Sequence, residues 1–266
     1  MKEIYRKTSK VSFIGGIGAT IFGIIFYFYG YEGFSENGDT LLEAGLFAVA
    51  LIGAGFYFKS AHEKLSNETM SASLLSLEDL HELNFQRVPA LLPKMYNVDP
   101  NGNPLFTIEP SKGRLSRWLT VFNLFEKGFI IPVHYDILDT SGQRIAAFTI
   151  RDNVKRYELS LRNSDGTLMS TYVQYLGKSA LKNRGILYHA DGAVWREIEA
   201  KSMAGDIDVK DEEGKMTASY RFGIFPYAMN PAFVSTAHHE HVKLGTHISV
   251  DEKLAYIMIF FLWLKG

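Results

Sequence analysis

Four histidines lie close together near the C-terminus, three of them within His238-His239-Glu240-His241 and the fourth at His247. In an extended segment alternate side chains share a face, so His239 and His241 point the same way. With His247, or with a carboxylate from another strand, they would make a site for a divalent metal. The i, i+4 spacing of a helical metalloprotease is missing, and no general base accompanies the cluster. A solvated strand edge or turn is the competing reading. The basic residues form a second set: Arg151, Lys155 and Arg156 make one group, Lys178, Lys182 and Arg184 another, and Lys112, Arg114 and Arg117 a third. Beside an anionic membrane each such cation contributes about 1 kcal/mol and a group of them holds a lipid headgroup. As ordinary solvated charge they hold nothing.

Covalent chemistry finds little to work with. The chain has no cysteine, which excludes disulfides, thiolate metal ligands and a thiol nucleophile. Leu176-Gly177-Lys178-Ser179 shares the end of a phosphate-binding loop, but that pattern needs glycine five residues before Gly177, where Tyr172 stands. No G-x-S-x-G elbow is present. The sequence therefore predicts a protein that is not an enzyme and that uses no cofactor. With 28 basic against 29 acidic residues there is no electrostatic case for nucleic acid. Any anion-binding surface must be local.

The elements that would position these residues fall into two parts. Val11 to Tyr31 is free of charge, and Leu41 to Phe58 is interrupted only by Glu43. Both approach the ~20 residues that cross ~30 Å of hydrocarbon, which predicts a transmembrane hairpin over 11–58. Lys2, Arg6, Lys7 and Lys10 precede it, Lys59 and Lys64 follow it, and the intervening YEGFSENGDT has no Lys or Arg. Short cytoplasmic segments retain basic residues, so both ends, including a basic N-terminus over 1–10, are expected inside a cell membrane crossed twice. Small residues four apart (Gly16 and Thr20, Ala19 and Gly23, Ala44 and Ala48, Ala50 and Ala54) let helices approach closely. Packing of the two spans on each other and contact with a second copy or another membrane protein are both open uses of these faces.

A helical linker is predicted over 59–85, because Leu74, Leu75, Leu77, Leu80 and Leu83 fall loosely at helical spacing. From 86 onward short β-like runs are separated by turns of one kind: Asp99–Gly102, Asp139–Gly142, Asn163–Gly166 and Asp211–Gly214, with a relative at His189–Gly192. Asp or Asn bonds the turn backbone and Gly takes the positive φ, so each turn predicts a hairpin. Five hairpins make a sheet that must close or be covered. The cover is at the end of the chain, where Ser249-Val250-Asp251-Glu252 is a capping box leading into eleven apolar residues, Leu254 to Leu264. At 1.5 Å per residue such a helix is too short to cross a bilayer and too apolar for water. A strand-built cylinder around a central helix over 250–264 satisfies both elements.

The combination resembles the tubby C-terminal-like superfamily, which includes LURP-one-related proteins and phospholipid scramblases. The resemblance covers about 86–266, and its most specific part is ISVDEKLAYIMIFFLWLKG. It implies a closed barrel of about twelve strands around a hydrophobic C-terminal helix, and in some branches binding of membrane lipids; the two N-terminal spans depart from the best-known members, so that a membrane-anchored, all-β protein is expected from hydropathy and the resemblance together. The expected function is a non-enzymatic, membrane-tethered binding or regulatory module on the cytoplasmic face, recognising either lipid, with anionic lipid the candidate, or a protein partner. The alternatives are a scaffold or immunity-type protein acting through its transmembrane helices on a membrane-protein partner, and scramblase-like lipid transport.

Overall fold

The computed structural model of the protein describes residues 2–29, 37–64, 72–88, 90, 92–121, 125–178, 183–200, 206–223 and 239–264. The chain divides into two compact units, a helical one formed mainly by residues 1–69 and a β-rich one formed mainly by 70–266.

The helical unit is a pair, α1 (Lys2–Tyr29) and α2 (Asn37–Lys64). Both are long and apolar enough to cross a membrane. Small residues stand where their backbones approach. A Cβ placed on Gly16 would lie 2.6 Å from Ile52 Cγ1 and 3.2 Å from the Ala48 carbonyl, and one on Gly23 would lie 2.9 Å from the Ala44 Cβ. The Ser9 hydroxyl donates to the Gly55 carbonyl at 2.8 Å. Phe13 and Phe56 meet edge to face. Ala19 is half-buried. Thr20 does not belong to the contact: it is exposed, and its hydroxyl donates to the carbonyl of Gly16 one turn back in its own helix. The basic segment 1–10 is itself helical from Lys2.

The predicted helical linker over 59–85 needs correction. Helix α2 runs on to Lys64, but 72–81 contains no helix and Glu82 already begins the first strand. Leu80 and Leu83 are fully buried in the barrel core and Leu77 packs against it. Five leucines at irregular spacing fit a helical stripe or a strand approach equally well, and here the sheet decides by taking the backbone groups of 82–88 into its ladder.

Twelve antiparallel strands follow: β1 (Glu82–Val88), β2 (Lys94–Val98), β3 (Pro104–Pro110), β4 (Val133–Asp139), β5 (Arg144–Asp152), β6 (Arg156–Asn163), β7 (Leu168–Tyr175), β8 (Arg184–His189), β9 (Val194–Glu199), β10 (Ile207–Lys210), β11 (Met216–Gly223) and β12 (His239–Leu244). A single turn of helix, α3 (Ser116–Leu119), lies in the β3–β4 connection. The sheet order is β10-β11-β12-β1-β2-β3-β4-β5-β6-β7-β8-β9, and among the described residues its ends meet through one bridge, Ala200 to Ile207. The cylinder is therefore nearly closed rather than continuously laddered. All five predicted turns form hairpins with their glycines at φ between 80° and 91°, and in each the glycine N–H donates to the carbonyl three residues back.

Strand alternation sends Phe106, Ile108, Tyr135, Ile137, Phe148 and Leu161 inward. The partner they require is α4 (Val250–Trp263), whose residues Glu252 to Trp263 are all buried. Ser249 caps it, its hydroxyl accepting from the Glu252 N–H at 3.2 Å. Phe261 meets Tyr135 and Phe148 edge to face, Phe260 packs on Tyr220, and Trp263 donates its indole N–H to Gln174 Oε1 at 2.7 Å. Each large apolar side chain so buried contributes about 1.5–3 kcal/mol.

Candidate anion-binding groove on the barrel wall

Outward-facing residues of neighbouring strands stand beside one another across the sheet. Asp136 on β4, Ala147 on β5 and Arg162 on β6 are successive ladder partners, and His134 pairs with Thr149 in the same way. Over this part of the wall lies the start of the β3–β4 connection, with Ser111, Lys112 and Arg114. Together they enclose a groove of about 480 Å³, within the usual range for small-ligand sites.

The groove is cationic. Lys112, Arg114, Arg144 and Arg162 line it against the one carboxylate of Asp136, four positive charges to one negative. Arg144 donates to the Ser164 carbonyl at 2.6 Å and Arg162 to the Gly166 carbonyl at 2.9 Å. Both acceptors belong to the β6–β7 turn. Each guanidinium carries five N–H donors in a planar fork, so one bond to the turn orients it and leaves others for an oxyanion. His134 is bonded to the Thr149 hydroxyl at 2.9 Å. Its pKa lies below the usual histidine value, first because burial disfavours the imidazolium and then because Arg114 is close, with Asp136 opposing.

A second groove of about 560 Å³ adjoins the first and shares Lys112. Its other cation, Lys94, is already paired with Glu109 at 3.0 Å and sits over the Tyr96 ring. That neutralisation makes it the weaker anion site.

The residues singled out in the sequence are distributed differently. Arg156 pairs with Glu158 at 3.1 Å, and Arg184 with Glu199 at 2.6 Å. Arg151 and Lys155 are exposed near the β5–β6 connection. The Lys178 side chain and Lys182 lie outside the described residues. None of the four described side chains, those of Arg151, Lys155, Arg156 and Arg184, lines the groove. Lys112 and Arg114 do, whereas His134, Arg144 and Arg162 were missed, because only the register of β4, β5 and β6 brings them together. Their outward positions on consecutive strands were the available signal.

Of the histidine cluster, the structure describes the side chains of His241 and His247. His238 and the His239 side chain lie outside the described residues. His241 is buried with its Nδ1 3.1 Å from Asn84 Oδ1, on the strand beside it. His247 Nε2 is 3.2 Å from Asp211 Oδ2 at the β10–β11 turn. The sheet thus gives these two imidazoles separate partners, and among the described residues no group of three metal-ligating side chains converges.

The chain matches no protein-family model, no curated protein and no solved structure.

Proposed function

We propose that this protein is a membrane-tethered binding module that takes an anionic, phosphate-bearing group, such as a lipid headgroup, into the groove between Lys112, Arg114, Arg144 and Arg162. The supporting observation is the pair of arginines pre-oriented by turn carbonyls beside two further cations and a single carboxylate. In this reading α1 and α2 cross the cell membrane, both chain ends are cytoplasmic, and no reaction is catalysed. The tubby-like relationship is part of the same proposal, supported by the apolar C-terminal helix within a twelve-stranded cylinder.

Detergent-solubilised full-length protein titrated with dibutanoyl phosphatidic acid should bind it, with affinity falling as salt rises. Dibutanoyl phosphatidylcholine should bind far more weakly. The Arg144→Gln, Arg162→Gln double variant should lose about tenfold or more in affinity while keeping its melting temperature, since each charge-assisted bond is worth ~1.5–3 kcal/mol. Equal binding of both lipids, or an unaffected double variant, would remove this reading.

A further inference from the structure

Two tight turns at one end of the barrel are built in a way that sequence preference opposes. In one, the Ile131 N–H donates to the Phe129 carbonyl at 2.7 Å around Ile130, whose φ is 64°. In the other, the Lys155 N–H donates to the Asn153 carbonyl at 2.7 Å around Val154, whose φ is also 64°. Both are three-residue γ-turns with positive φ, a rare and strained form. Glycine or asparagine is the ordinary occupant of that region, and a β-branched residue there is an outlier.

The side chains gain nothing inside the protein to offset the strain. Ile130 is 73% exposed and Val154 is 71% exposed. A parallel bridge between Phe129 and Asp152, with the Asp152 N–H donating to the Gly128 carbonyl at 3.1 Å, sets the two turns side by side. The β3–β4 connection that carries Ile130 also exposes Leu115 and Trp118. Around the tips stand Arg151 and Lys155, both exposed, and Lys127, whose ammonium lies over the Tyr157 ring at 5.8 Å. The Asp152 carboxylate is turned into its own turn, accepting from the Val154 N–H at 2.7 Å, so that two protruding apolar tips among three cations match the two layers of an anionic bilayer surface, acyl boundary and headgroups.

We infer that the Ile130 and Val154 turns are an interfacial anchor that dips into the surface of an anionic bilayer and fixes how the tethered barrel meets it. The occupant is a lipid surface because the same chain carries two helices of membrane-spanning length, which hold the barrel at high effective concentration beside one. The inference rests on the membrane-tethered reading but not on the groove, which lies on the barrel wall.

The absence of cysteine makes the test direct. Single variants Ile130→Cys, Val154→Cys and, as a control at a hairpin turn of the opposite end, Ser141→Cys are labelled with an environment-sensitive fluorophore. The full chain is reconstituted in vesicles of phosphatidylcholine with phosphatidylserine, containing a lipid quencher on the acyl chain. Several-fold quenching at 130 and 154, with none at 141 and a loss when phosphatidylserine is omitted, is the expected result. Val154→Gly should weaken the quenching read at Ile130→Cys while raising the melting temperature in detergent, because it relieves the turn and removes the anchor together. Reporters at 130 and 154 no more quenched than the control, in protein that resists alkaline carbonate extraction, would overturn the anchor and leave the tether standing. Extraction by carbonate would overturn the tether and the anchor with it. Disulfide-linked dimers of unlabelled Ile130→Cys without lipid quenching would assign the patch to a second copy and overturn the inference.

Discussion

Arg196 on β9 lies 3.3 Å from Glu252 on the central helix, an ion pair between the barrel wall and the element that fills it. The same Glu252 carboxylate accepts from the Tyr256 hydroxyl at 2.8 Å, and Tyr256 in turn meets the Thr217 hydroxyl of β11 at 2.9 Å. Strands β9 and β11 flank β10, whose Ile207 makes the one bridge among the described residues that closes the cylinder. A side-chain network through the helix thus reinforces the place where the backbone ladder is thinnest. Removing one partner of a buried pair strands the other charge. Arg196→Met should therefore cost about 3 kcal/mol, whereas Arg196→Met with Glu252→Gln should recover much of it. All three tryptophans, Trp118, Trp195 and Trp263, belong to the β-rich part, so tryptophan fluorescence during chemical denaturation reads this unit.

Gly128 is required twice over. Its φ is 76°, and a Cβ there would lie 2.2 Å from the Ile150 carbonyl oxygen. Gly142 shares the positive φ, at 87°, but has open space around it. Gly142→Ala should cost about 1 kcal/mol, the backbone effect alone, and Gly128→Ala clearly more. Equal losses in the two denaturation curves would show that the close approach of the 125–131 turn to β5 is not needed.

Stability should respond to pH with two opposed signs. His134 and His241 are held below the usual histidine value, in each case mainly by burial. The unfolded chain then binds more protons than the folded one once pH falls below about 6.5, and stability is lost on acidification through that range. Glu240, whose ladder partners are Phe85 and Phe222, is pushed by burial from 4.5 up to about 7. For it the folded chain holds the extra proton, so its favourable contribution is complete below about pH 4.5 and is lost as pH rises to 7. Glu240→Gln should be close to neutral at pH 4.5 and stabilising at pH 8 in denaturant titrations. A variant equally changed at both values would contradict the assignment.

The helix pair can be read with a disulfide. A Cβ on Gly23 would lie 2.9 Å from that of Ala44, near enough for small backbone adjustments to reach disulfide geometry. Gly23→Cys with Ala44→Cys should cross-link within one chain in isolated membranes under mild oxidation. Adding Gly16→Phe, which would collide with Ile52 and Ala48, should cut the yield several-fold. An undiminished yield would mean that Gly16 does not set the approach of α1 to α2.

Periodicity and turn chemistry carried the architecture. The two apolar helices, the four hairpins opened by Asp or Asn with their relative at His189, and the capped terminal helix at Ser249 are local patterns, each written within a few dozen consecutive residues, and local energetics are enough to specify them. The irregular approach over 72–81 was misread as helix, because spacing alone does not say whether Leu80 and Leu83 are claimed by a helix face or by a barrel core. The groove was legible only at Lys112 and Arg114. His134, Arg144 and Arg162 come from three strands, and their meeting depends on register, a long-range property set by the packing of every inward side chain against α4. The same register separated His241 from His247 by giving them Asn84 and Asp211 as partners. Short-range patterns in the chain specify which helices and hairpins form. Which charged side chains become neighbours is set by long-range packing, because outward-facing residues follow wherever the buried faces of their strands are placed.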